Sequence, residues 1–216
     1  GNVLNDKVWR RINSRITDTN IFTDQLALTG KFNTGAFKHS FNIGAEYSDQ
    51  KSDKGNYLTS YPGYPGTTTG GFNSDCAIND AWCTSLTNPD SRDQWLGSSA
   101  ANKNLTTTTT ETTSVYLLDN IEFSPQWLLD LGLRWDKFDT KQTTNATGDS
   151  IENNTDFLTY QAGLIFKPVE NGSIYASYAT SANPVGVDGG DGSEAIGQVY
   201  MDLDPEESRT FEIGTK

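Results

Sequence analysis

The sequence predicts an all-β fold, an antiparallel transmembrane β-barrel segment, on three observations. Apolar and polar residues alternate with period two along several stretches. Very short connections alternate with very long ones, and aromatic residues gather beside the short ones. The clearest stretch is Trp127 to Phe138, where Trp127, Leu129, Leu131, Leu133 and Trp135 share one face and Leu128, Asp130, Gly132, Arg134 and Asp136 the other. From Trp127 to Trp135 such a strand rises roughly 26 Å at about 3.3 Å per residue, and a tilt of about 40° leaves about 20 Å along the membrane normal. That approaches the height of a barrel's apolar band, with a tryptophan at each border.

The other elements repeat this design. Leu26, Leu28 and Phe32 lead into a turn at 33–35, and Phe41, Ile43, Ala45 and Tyr47 lead out of it. Val115, Leu117, Ile121 and Phe123 oppose Tyr116, Asn120 and Glu122; Asp119 falls on the apolar side, which predicts a bulge or a rim position there. After the turn Ser124-Pro125-Gln126 and the strand from Trp127, Leu158, Tyr160, Ala162, Leu164 and Phe166 oppose Thr159, Gln161 and Gly163. A turn at 168–172, a strand at 173–181 and a last strand at 206–216 carrying Phe211 and Ile213 complete the series. Long connections are expected at about 50–110, 139–156 and 182–206. Short turns at one end and long loops at the other are the asymmetry of bacterial outer-membrane barrels; an ordinary antiparallel sandwich, the alternative, would scatter its loop lengths.

Composition agrees and narrows the function classes. Only 34% of the 216 residues are hydrophobic, and no apolar run is long enough for a membrane-spanning helix, which needs about 18 residues. A net charge of -12 argues against nucleic acid as a partner, because phosphate binding wants a basic face. The two cysteines, Cys76 and Cys83, lie in a polar segment without a nearby histidine; a disulfide closing this short loop fits better than a zinc site and places the segment in an oxidising compartment. By loop entropy such a bond contributes roughly 2.5 kcal/mol.

Four stretches carry a family resemblance: LTGKFNTGAFKHSFNIGAEYS at 28–48, SVYLLDNIEFSPQWLLDLGLRWDKFD at 114–139, YQAGLIFKPVENGSIYASYATSANP at 160–184 and LDPEESRTFEIGTK at 203–216. In order and spacing they resemble the barrel of TonB-dependent siderophore receptors, closest in flavour to those for ferric catecholates. The resemblance implies a barrel of 22 strands around a separate N-terminal plug, with transport driven by contact between the plug and the TonB complex. Residues 1–216 would then be part of one barrel domain, seven or eight strands without the plug, from a protein of the Gram-negative outer membrane. Its implied partners are a ferric siderophore as transported ligand, the TonB complex through the plug, the remaining strands of the same receptor, and outer-membrane lipid and lipopolysaccharide. No cofactor is implied.

Ferric catecholates are bulky, anionic and aromatic, so aromatic platforms and cationic donors near the outer mouth are the groups to seek. The first long loop holds Tyr61 and Tyr64 in YPGYPG, together with Trp82 and Trp95. Its prolines and glycines restrict and turn the backbone so that the two tyrosines are presented, although these rings can equally pack the loop against itself. Arg134 is expected to face the lumen near the outer end of its strand, either to attract an anionic ligand or to join Asp130 and Asp136 in an ion-pair ladder. Lys31 faces the lumen near the turn end, and His39, the sole histidine, reads as an interfacial polar residue. Asp188, Asp191 and Glu194 offer carboxylates for calcium, but their spacing matches no EF-hand and a solvated loop is the simpler reading. No hydrolase, metalloprotease or nucleotide-binding motif is present, which argues against an enzyme. Competing readings are an importer of another nutrient, or a small barrel or secreted sandwich for adhesion or carbohydrate binding.

Overall fold

A computed structural model of the chain describes residues 3–4, 6–9, 14–60, 83–92, 97–185 and 203–216. Its elements are β1 (Val3–Leu4), β2 (Lys7–Trp9), β3 (Ile16–Thr34), β4 (Phe37–Gly55), β5 (Leu58–Ser60), β6 (Cys83–Ser85), β7 (Ser98–Ala100), β8 (Thr106–Ser124), β9 (Trp127–Thr144), β10 (Asp149–Val169), β11 (Gly172–Asn183) and β12 (Glu206–Thr215). Among the described residues there is no helix. Seven strands form one antiparallel sheet in the order β12-β11-β10-β9-β8-β4-β3, so each is hydrogen-bonded to its neighbour in the series. The short strands make two small sheets, β1-β2-β6 and β5-β7.

The period-two alternation makes this sheet two-faced. Cross-strand register assembles Leu26, Ala45, Val115, Trp135 and Leu158 into one row on the outward face. One row further from the short turns the outward residues are Asp24, Tyr47, Thr113, Lys137 and Asp156. The face thus changes from apolar to charged within a single row, which is where hydrocarbon would give way to headgroups. Below that line, on strands paired on both sides, Leu158 is 54% exposed and Leu133 47% exposed, an apolar surface that suits lipid and would aggregate in water. At the opposite border Phe37 meets Phe123 edge-on at 5.1 Å and Trp127 stacks on Phe166 at 4.5 Å, forming an aromatic girdle at the short turns.

Strand length departs from expectation. Positions 139–156, read as a long loop, are mostly strand: β9 and β10 stay paired to Thr144 and Asp149, closing over a tight turn with Gly148 at φ 77°. Likewise β4 runs to Gly55 and β8 begins at Thr106, which shortens the loop expected at about 50–110. The reason is that backbone pairing does not need the apolar pattern. Above the membrane line, outward ion pairs Lys137–Asp139 (2.8 Å) and Lys141–Glu152 (2.7 Å) and a run of β-branched threonines continue the ladder.

Of the bulge or rim position expected at Asp119, the bulge is absent. Pairing is continuous there on both sides, and the one irregularity of the β8-β9 ladder lies between Glu122 and Ser124, beside the turn. Asp119 is instead tolerated among apolar rows because His39 meets it: Nδ1 stands 2.7 Å from the carboxylate, and Nε2 stands 2.6 Å from the Thr34 hydroxyl. Phe32 stacks on the imidazole at 4.4 Å and Phe41 packs edge-on against Phe32 at 5.8 Å, so aromatic rings wall the polar group. One acceptor is left over, since the second Asp119 oxygen is buried without a partner.

Candidate functional site

The inward face carries the polar chemistry. Tyr116 and Gly44 lie opposite each other on β8 and β4, and the absence of a side chain at Gly44 lets the phenol ring lie flat over that strand, where a Cβ would overlap it. Tyr175 covers Gly214 in the same way on β11 and β12 and donates its hydroxyl to Glu212 at 2.6 Å. Both tyrosines are therefore spread along the wall rather than standing out into the lumen.

Around Tyr116 the strands converge on Arg134. Its guanidinium donates to Glu46 at 2.7 Å across β4 and to Asp136 at 2.9 Å on its own strand, and it lies 5.8 Å from the Tyr116 ring. Ser114, fully buried, donates to Asp136 at 2.6 Å, and Gln25 donates to both Glu46 (2.8 Å) and the Tyr116 hydroxyl (3.1 Å). Four strands, β3, β4, β8 and β9, are tied at one level. A groove of about 400 Å³ beside this network is lined by Asn42, Glu46, Tyr116, Arg134, Thr159 and Gln161. Leu118 and Leu133 complete the lining, so the groove mixes amides and hydroxyls with apolar side chains around one ion-paired cation.

Two expectations about Arg134 change. The strand continues to Thr144, so Arg134 lies in the middle of β9 rather than near its outer end. Asp130 does not join it; that carboxylate accepts from Asn120 instead, and Glu46 from the neighbouring strand takes the place foreseen for it. Glu46, Gln25 and Tyr116 could have been found from the sequence only by knowing the register, because they lie far apart in the chain.

Tyr61, Tyr64, Trp82, Trp95 and Cys76 lie outside the described residues, as do the calcium candidates Asp188, Asp191 and Glu194. Cys83 is disulfide-bonded and 8% exposed. In the same loop Arg92 donates to Asp90 at 2.9 Å and 3.1 Å, which holds that carboxyl below its usual range.

Comparison with known proteins turns this geometry into a lineage. Residues 2–216 match the family model described as TonB dependent receptor-like, beta-barrel. The chain belongs to the TonB-dependent receptor β-barrel family. It is 55% identical, over its whole length, to a protein of Acinetobacter baumannii described as a probable TonB-dependent siderophore receptor, PiuA, of which it covers 30%. A probable TonB-dependent receptor of Bordetella pertussis, BfrD, is 30% identical over 97% of the chain and is covered to 29%. The crystal structure of the A. baumannii siderophore receptor PiuA superposes with a TM-score of 0.85 at 54% identity, over 97% of this chain and 30% of that one. The chain thus spans about a third of the length of its relatives, and the seven-stranded sheet is a segment of their barrel wall. Those relatives are receptors, not enzymes.

Proposed function

We propose that the chain is a wall segment of an outer-membrane receptor that imports a ferric siderophore, of catecholate type. The observation that carries the reading is the 55% identity, along the entire chain, to a protein described as a siderophore receptor. Support for the catecholate class comes from the Escherichia coli protein described as catecholate siderophore receptor Fiu, 25% identical over 99% of this chain. Residues 1–216 form part of one barrel domain whose plug and remaining strands lie elsewhere in the receptor, and the plug contacts the TonB complex.

In this reading Tyr61, Tyr64, Trp82 and Trp95 present rings to the ligand at the outer mouth. Arg134 braces the wall rather than gripping cargo, because a ligand would have to displace both Glu46 and Asp136. The loop bearing Asp188, Asp191 and Glu194 stays solvated.

The test is deletion of the whole receptor gene followed by growth on single ferric siderophores as iron source. Growth is lost on the cognate catecholate and restored by the intact gene. Unchanged uptake across a catecholate panel overturns the ligand class, and expression indifferent to iron supply points to another nutrient.

A further inference from the structure

Alternation along a strand fixes which face a side chain takes, but not which residue it meets. A slip of two residues between neighbouring strands leaves every residue on its own face, so lipid on one side and water on the other do not forbid it. Between β4 and β8 such a slip sets Val115 instead of Leu117 opposite Ile43, Leu117 instead of Asp119 opposite Phe41, and Asp119 opposite His39. The outward face is as apolar after that slip as before it.

Tight turns settle the register in four of the six strand pairs of the large sheet. The pairs β3-β4, β8-β9, β9-β10 and β10-β11 close over connections of two to four residues. By contrast β4 reaches β8 through residues 56–105 and β11 reaches β12 through 184–205, and connections of that length do not hold two strands in step. Those two pairs share one device. Tyr116 lies over Gly44 and Tyr175 over Gly214, each ring directly opposite its glycine, where a Cβ would overlap it. A slip by two sets Tyr116 opposite Asn42 or Glu46, and Tyr175 opposite Glu212 or Lys216, whose side chains take the space the ring needs. Hydrogen bonds hold the native seat: the Tyr116 hydroxyl accepts from Gln25 at 3.1 Å and Tyr175 donates to Glu212 at 2.6 Å. Phe41 over Gly30 and Gln161 over Gly132 are similar contacts, in pairs that a turn already holds.

We propose that Tyr116 on Gly44 and Tyr175 on Gly214 are register keys, which exclude the two-residue slip across the two connections too long to exclude it. A slip across one pair would change the stagger of the wall, and with it the tilt of the strands and the bore they enclose. Such keys serve the wall whatever cargo the receptor carries.

The test refolds the full-length receptor from urea into lipid vesicles, oxidises introduced cysteine pairs and quantifies the cross-linked peptides by mass spectrometry. Ser48→Cys/Thr112→Cys are directly opposite in the native register, whereas Ser48→Cys/Thr110→Cys and Gln50→Cys/Thr112→Cys come opposite only after a slip, and a disulfide needs Cα atoms within about 7 Å. On β11-β12 the native pair is Ser181→Cys/Ser208→Cys, with Glu206→Cys or Thr210→Cys replacing Ser208→Cys for the two slips. Tyr116→Gly and Tyr175→Gly are each expected to raise the slipped cross-link about twofold to fivefold, each in its own pair only. Gly44→Tyr/Tyr116→Gly, which rebuilds the key with its halves exchanged, should return the native register. Phe41→Gly, read at Thr23→Cys/Gln50→Cys, should leave β3-β4 in step because its turn holds it. Slipped cross-links that stay at the wild-type level in both tyrosine variants overturn the keys. A slip in Phe41→Gly as large as theirs overturns the link to the long connections. If Tyr116→Gly does not enter vesicles, Tyr175→Gly decides by the same reading.

Discussion

Two polar clusters lie on opposite faces of the sheet, the inward one across β3, β4, β8 and β9 and the outward one across β3, β4 and β8, and they solve different problems. The inward one gathers Arg134, Glu46, Asp136, Ser114, Gln25 and Tyr116 into a connected network beside a groove. The outward one is small: Thr34, His39 and Asp119, with aromatic rings around it and one Asp119 oxygen left without a partner. Water and neighbouring polar chain can reach the first, so charges there can be spread among several partners. Lipid faces the second, so every donor must be met within reach of one imidazole. The depth of a residue matters less to its tolerance than which way its strand turns it.

If that contrast holds, a charge placed on each face should separate them most widely. Leu131→Arg on the outward face is expected to cost about 2–4 kcal/mol of folding free energy in bilayers, whereas Gln161→Arg on the inward face should cost less than about 1 kcal/mol. Reversible denaturant unfolding of the full receptor in vesicles measures both, and equal costs would erase the distinction between the faces.

The next effects probe each cluster in turn. Asp119→Leu alone leaves the His39 Nδ1 without its partner in lipid and should destabilise by about 1–3 kcal/mol. Replacing both residues, His39→Leu/Asp119→Leu, should recover most or all of that loss, because a buried polar pair is often no more stabilising than an apolar one. A double variant as unstable as the single would show that the pair contributes more than mutual compensation. Arg134→Ala should cost about 1–2 kcal/mol, below the 3–5 kcal/mol of a fully enclosed pair because the guanidinium is 38% exposed. The smallest effect is expected at the outer turn, where Gly148→Ala at φ 77° should cost about 1 kcal/mol and speed amide exchange at Thr140 and Thr143. Unaltered exchange would mean that the upper hairpin does not depend on that turn.

Most strands were legible in the sequence because lipid imposes strict alternation, and Trp127 to Trp135 shows it without a break. The upper halves of β9 and β10 were not, because Lys137, Asp139, Lys141 and Glu152 read as loop composition while their backbones are paired. The sequence marks Asp119 as anomalous but not why it is tolerated, since its compensation by His39 comes through the β4-β8 register, which no local pattern reveals. For the same reason Arg134 was recognised as lumen-facing while its partner Glu46, 88 positions away, was not. Local periodicity tells which face a side chain takes, and long-range register tells whom it meets.

In the proposed receptor one side of this sheet faces hydrocarbon from Trp127 to Trp135 and water beyond it. Spin labels placed singly at 128–141 in the full receptor, reconstituted in bilayers, test it most directly through their accessibility to oxygen and to a water-soluble nickel complex. Strict alternation is expected through 135, with labels at 129, 131 and 133 open to oxygen alone, then access of the nickel complex at 137, 139 and 141. Protection of 137, 139 and 141 from the nickel complex, or no alternation below Trp135, would contradict it.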